Sequence, residues 1–303
     1  FTGLKASWND VISVNPQLSE VNLNSKALTT TVSIKLRPSK RVQINTVLSS
    51  GFRNPNIDDI GKIRENNGLL VVPNTFLKPE YAYNLDLGFD FRSLNNTNFI
   101  SLRGFSTIIS RHIGRDEYVV FSDITTPDLS TIIYNGEEVT TISNKNLGNR
   151  FIHGFSIDGF SKIMSNLKLD YALTYTRGDN NDTYGPLPSI SPLFGSIALS
   201  YSKRGLNLRA VYKFSEAKNP SEYSFGGEDG LDETPFIVNS EGLLTYLGTP
   251  KWSDLSIYGS KNISSNVTLR IGLTNVFDSH YRTFASGISA PGRSFQVGLN
   301  LKL

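Results

Sequence analysis

The side chains best suited to chemistry in this 303-residue chain are few and scattered. Its three histidines, His112, His153 and His280, stand in none of the spacings, such as HExxH, by which a helix offers two imidazoles to one metal ion. Each reads as an interfacial or loop residue, with a lone ligand as the alternative. There is no cysteine, which removes thiolate metal sites, disulfides and a cysteine nucleophile together. A Ser, His and Asp set would have to converge from distant segments, and no motif nominates one. No catalytic, cofactor-binding or metal-ligating residue is therefore expected, and the chain does not read as an enzyme.

Two other places could contact a ligand. In GFRNPN, Arg53 closes an alternating run, where its guanidinium would pair with an anionic ligand, with a carboxylate of a neighbouring domain, or with a carboxylate of its own chain. The stretch EAKNPSEYSFGGEDGLDETPF, 216 to 236, carries Glu216, Glu222, Glu228, Asp229, Asp232 and Glu233, with Tyr223, Phe225 and Phe236 interleaved. Functionally this is a lid whose aromatic rings stack on a ligand; structurally it is a solvated surface loop. The order GGEDGLDE does not match an EF-hand calcium loop.

The elements that must position these residues are strands. Apolar residues make up only 38% of the chain, yet 18 Phe and 13 Tyr are present, a mixture suited to sheets with one greasy and one wet face. Period-2 alternation dominates. YNLDLGFDFR sets Tyr83, Leu85, Leu87, Phe89 and Phe91 against Asn84, Asp86, Asp90 and Arg92, and LKLDYALTY separates Leu167, Leu169, Tyr171, Leu173 and Tyr175 from Lys168, Asp170 and Thr174. LNLRAVYKF, VTLRIGL and the terminal SFQVGLNLKL behave likewise. Counting such runs predicts eleven complete strands from near Leu28, with FTGLKASW at residues 1 to 8 as the end of an earlier one. NIDDIGKIRENNG, 56 to 68, is the one helix-like stretch.

Connections alternate between short turns (37 to 40, 93 to 98, 164 to 167, 202 to 206, 262 to 266) and long polar loops near 9 to 27, 53 to 80, 113 to 148, 178 to 192, 215 to 250 and 277 to 291. Strands of about ten to thirteen residues, with short turns at one end and long loops at the other, describe an all-β transmembrane antiparallel barrel. A soluble β-sandwich also alternates, but mixes loop lengths at both ends. Tyr81, Tyr83, Phe91, Tyr175, Tyr201, Tyr212 and Phe214 fall at strand ends, where membrane girdles lie. A net charge of +3 with scattered basic residues offers nothing to nucleic acid. The first thirty residues hold no signal-peptide pattern, so a leader is expected to have been removed or the chain to be part of a longer one.

Three stretches carry a family resemblance. TNVFDSHYRTFASGISAPGRSFQVGLNLKL, 274 to 303, resembles the carboxy-terminal end of TonB-dependent outer-membrane receptors. SSGFRNPNIDDIGKI with VVPNTFLKPEYAYNLDLGF resembles the mid-barrel of the Bacteroidetes type, and YGPLPSISPLFGSIALSY their later loop and strand. The resemblance implies that residues 1 to 303 are one incomplete domain, about the last 11 to 12 strands of a 22-stranded barrel, without the plug. It implies a Gram-negative outer-membrane location, with long loops extracellular and short turns periplasmic. Expected partners are the plug and earlier strands of the same receptor, the TonB–ExbB–ExbD energising complex acting through that plug, the barrel assembly machinery and outer-membrane lipids.

Within the resemblance, Gln296, Gly298, Leu301 and Leu303 are similar to the signal read by the assembly machinery, although an aromatic is commoner at the last position. PGRS, 291 to 294, marks the family and reads as structural punctuation or as a ligand contact. The implied activity is energised import of a scarce ligand. A ferric siderophore or similar metal chelate ranks first; a SusC-like glycan or peptide importer, a passive porin-like channel and a structural or adhesive subunit are the alternatives. Haem receptors of the family carry a histidine between the FR-P stretch and the next, whereas residues 54 to 78 here contain none.

Overall fold

A computed structural model describes residues 27–119, 130–181, 185–225 and 229–302. Eleven strands form one antiparallel sheet in which every strand pairs with its sequence neighbours: β1 (Thr31–Leu36), β2 (Val42–Arg53), β3 (Glu80–Arg92), β4 (Asn98–Ser110), β5 (Arg150–Met164), β6 (Leu167–Gly178), β7 (Phe194–Lys203), β8 (Leu206–Ser215), β9 (Trp252–Asn262), β10 (Val267–Thr274) and β11 (Ser294–Leu301). The alternation thus located the eleven strands and their order. The stretch 1 to 8, the loop near 9 to 27 through residue 26, and Leu303 lie outside the described residues.

Register joins the alternating faces of all eleven strands. Pairs such as Leu48↔Leu85, Phe89↔Leu102, Leu102↔Ile157, Ile157↔Leu173, Leu199↔Ala210, Ile257↔Leu273 and Leu269↔Leu299 continue one apolar face across the sheet. The opposite face carries Asn45, Asp90, Arg103, Asp158, Asp170, Arg209 and Gln296. Side chains on the apolar face stay open: Leu48 is 55% exposed, Leu87 52% and Leu299 62%. An apolar surface of this extent is stable only against lipid. Even the mid-face Tyr171 hydroxyl is accounted for: it lies over Gly159, where a Cβ would sit 2.8 Å from it, and donates to the Phe99 carbonyl across the strand.

Short turns close one end of the sheet, among them Ser165-Asn166 and Arg204-Gly205, the latter with both residues at positive φ. At the other end the long loops fold on themselves, and the chain's buried apolar core lies there. Segments Arg64–Asn66, Leu69–Val71, Ile113–Glu117, Thr131–Tyr134 and Glu137–Asn146 make a second, five-stranded sheet over Leu70, Val72 and Val139. Asn67-Gly68 and Asn135-Gly136, all at positive φ, turn its two hairpins. The helix-like stretch is corrected: helix α1 spans only Ile57–Gly61, started by a capping box between Asn56 and Asp59. Arg64–Asn66 is recruited as a strand instead.

Candidate functional site at the loop end

Two polar knots hold the loop crown in place. At the tops of β2 and β3, Arg53 donates through Nε to Glu80 (2.5 Å) and through Nη1 to Asp59 of α1 (2.6 Å). The other Glu80 oxygen accepts from the Ile113 amide (2.8 Å) and lies 3.0 Å from His112 Nδ1, so one carboxylate ties two strands to two loops. Asp59 also accepts from the Asn56 amide, which fixes α1 against Arg53. Arg53 therefore engages carboxylates of its own chain, while its side chain remains 44% exposed toward the polar face.

The second knot is nearly dry. Lys218, with a side chain 3% exposed, donates to Asp229 (3.1 Å; side chain 1% exposed) and to the Ile190 carbonyl (2.7 Å). Its ammonium sits 4.1 Å from the centroid of Phe284 and 4.9 Å from that of Tyr223. Asp229 accepts in turn from the Ser189 amide, and the Tyr223 hydroxyl pairs with Thr249 Oγ1 at 2.6 Å. Three loops, 179–193, 216–251 and 275–293, meet here. Burial pushes the Lys218 ammonium below its ordinary range, opposed by Asp229, and pushes the Tyr223 phenol up.

Beside this knot opens a cavity of about 450 Å³. It is lined by Glu233, Phe236, Lys251, His280, Tyr281 and Arg282 among others. Tyr281 is anchored by stacking on Trp252 (4.4 Å, 15°), and burial together with the Asp254 carboxylate raises its pKa. Arg282 donates to the Glu233 carbonyl (2.9 Å), and His280 Nε2 lies 3.1 Å from Ser289 Oγ. A second cavity of about 500 Å³ lies across residues 229–233, with Phe225, Arg64 and Tyr246 in its wall.

The sequence candidates are thus distributed. Phe225 and Phe236 are exposed, each at one of the two cavities, and Phe236 meets Tyr246 edge-on. Tyr223 is buried in the Lys218 knot, with its ring faces met by its own chain. Glu228 lies outside the described residues. Gln296, Gly298 and Leu301 stand on β11, Leu301 on the apolar face and the other two on the polar face. In PGRS, the Pro291 carbonyl accepts from Asn275 Nδ2 and the Arg293 amide donates to Asp278, so this segment is pinned to the loop's start. Lys251, Arg282 and Tyr281 were not singled out from sequence. Their signal, a cation and an aromatic flanking each end of one long loop pair, carries no fixed spacing.

Comparison with known proteins places this geometry among relatives. A family model described as "TonB dependent receptor-like, beta-barrel" matches residues 2–276. The chain is 25% identical over 297 residues to "Hemoglobin-binding protein A" of Haemophilus influenzae, covering 92% of this chain and 27% of that protein. It is 25% identical over 274 residues to "Hemoglobin-haptoglobin utilization protein B" of Neisseria meningitidis serogroup A, covering 82% and 31%. Among solved structures, the siderophore receptor PirA from Acinetobacter baumannii superposes with a TM-score of 0.66 at 19% identity, over 90% of this chain and 40% of that one. The copper transporter OprC superposes at 0.64 and 18% identity, over 89% and 39%. The chain therefore spans under a third of the curated relatives it matches.

Proposed function

The chain belongs to the TonB-dependent receptor β-barrel family, a family of the outer membrane, and from that premise we propose that residues 1 to 303 form the carboxy-terminal wall and loop crown of a receptor importing an iron chelate. The rest of that receptor supplies the plug and the earlier strands, TonB with ExbB and ExbD energises passage through the plug, and the long loops face the cell exterior. What supports the ligand class most is the cavity at the crown. Lys251 and Arg282 offer charge-assisted contacts to anionic oxygens, and Tyr281 and Phe236 offer ring faces. Ferric catecholate siderophores and haem share that chemistry, being metal chelates with anionic oxygens and flat π-systems.

Within the class, ferric siderophore is the first reading. Haem is the second, favoured by the haemoglobin-related names of the curated relatives and by His280, an imidazole in the cavity wall. Titration of the purified full-length receptor separates them. A ferric catecholate siderophore is expected to bind, and K251A/R282A to weaken it at least tenfold. A haem absorbance shift abolished by H280A would move the assignment to haem. Equal binding of a neutral oligosaccharide, unaffected by either variant, would replace the reading with the glycan importer.

A further inference from the structure

The apolar face holds an unusual charge distribution. Followed through the register of all eleven strands, it contains no Asp or Glu, and its charged or titratable cationic side chains are four: His153, Arg177, Lys203 and Lys261. They fall at the two rims. Lys203 and Lys261 lie at the short-turn end, separated by Leu206 between them, and Lys261 donates to the Arg204 carbonyl. At the loop end, by contrast, His153 and Arg177 are direct cross-strand partners on β5 and β6, which places their Cβ atoms about 5 Å apart.

Their height can be worked out along β6. From Leu167 to Tyr175 the apolar face runs eight residues, roughly 26 Å at about 3.3 Å per residue, or about 20 Å along the membrane normal at a tilt near 40°. Tyr175 thus marks the edge of the hydrocarbon band, and Arg177, one step further on the same face, stands about 5 Å above it, level with lipid headgroups. The ring of Phe151 lies 5.2 Å from His153, and Phe155 and Tyr175 meet at 5.6 Å just below. Arg177 is exposed and no ion pair engages it among the described residues, while His153 Nδ1 is buried without a hydrogen-bond partner. The carboxylate nearest in sequence, Asp179, is held by the Arg150 guanidinium (3.1 Å) and the Phe151 amide (3.1 Å), while Glu216 and Glu222 line, together with Arg177, a cavity of about 380 Å³ in which Glu222 accepts from the Asn219 amide.

We infer that His153 and Arg177, walled by Phe151 and Tyr175, form a lipid-facing site for a phosphate-bearing headgroup in the outer leaflet. The guanidinium fork and the adjacent imidazole supply the donors, and the aromatic collar sets the acyl chains below. Within the eleven strands no carboxylate stands on this face, and Asp179, just past β6, already has its charge paired with Arg150.

The test uses the full-length receptor in detergent, with lipid binding followed by native mass spectrometry. A phosphorylated outer-leaflet glycolipid is expected to stay bound, and R177Q/H153Q to lower its retention at least tenfold, while K203Q at the other rim leaves retention unchanged. The same lipid stripped of phosphate should not be retained by the unaltered receptor, an arm that needs no variant. Retention of the phosphate-free lipid to the same degree, or loss of the phosphorylated lipid only on K203Q, would overturn the assignment. So would displacement of the lipid by equimolar inorganic phosphate, which would make the pair a simple anion site.

Discussion

At the scale of single residues, the crown depends on charges that have been taken out of water. The Lys218 ammonium replaces hydration with Asp229, one carbonyl and two ring faces, and a buried pair of this kind is costly to break from one side. Lys218→Met should therefore loosen the loop packing by about 3–5 kcal/mol, because Asp229 would stay charged and buried with only backbone amides beside it. Adding Asp229→Asn to that variant should recover much of the loss. Hydrogen exchange of residues 185–193 and 280–290 measures both, and unchanged protection in Lys218→Met would show that the pair does not hold the loops. Glu80 presents the same logic at the other knot. Glu80→Gln keeps the shape but removes the charge facing Arg53, so exchange should rise in α1 and at Ile113 first.

At the scale of elements, the strand faces can be probed one at a time. Leu299 stands on the apolar face of β11 opposite Leu269, so Leu299→Lys places a charge against lipid at a cost of about 2–4 kcal/mol near the midplane. Lower yield of heat-resistant barrel in membranes would report it, and normal assembly would mean that the face is misassigned. Deleting 220–234 should leave β8 and β9 paired over Leu206–Ser215, but it removes Asp229 and Tyr223 and so should also open the loops that Lys218 joins. The eleven strands were legible in the sequence because a sheet between lipid and water imposes a period of two on every strand. The five-stranded loop sheet was not, since its parallel pairing of Leu69–Val71 with Thr140, Thr141 and Ile142 joins two loops that are each mostly polar. Its local signals, Asn67-Gly68 and Asn135-Gly136, were there to be used. Arg53 was legible as a charge on a strand end. Its partners were not, because Glu80 and Asp59 reach it through contacts that leave no periodic mark.

At the scale of the whole molecule, the sheet curves as a barrel wall but its order begins at β1 and stops at β11, and these two do not pair with each other among the described residues. Each edge presents a row of backbone N–H and C=O groups with no strand partner among the described residues. In hydrocarbon every such group costs several kcal/mol, and a strand of eight residues exposes several of them. The solved receptors that superpose on this chain are a little over twice its extent, as 90% coverage here corresponds to 40% there. On the proposed reading, closure comes from further strands of the same receptor that carry the outer edge of β1 round to that of β11. Residues 27–302 produced alone and refolded into lipid should therefore fail to give a protease-resistant, heat-shifting band, or should give one only as multimers that pair edge to edge. The same strands following the earlier part of the receptor should give a monomeric one. A stable, closed monomer formed from residues 27–302 alone would show that β1 and β11 can meet directly, and would make this segment a small barrel in its own right.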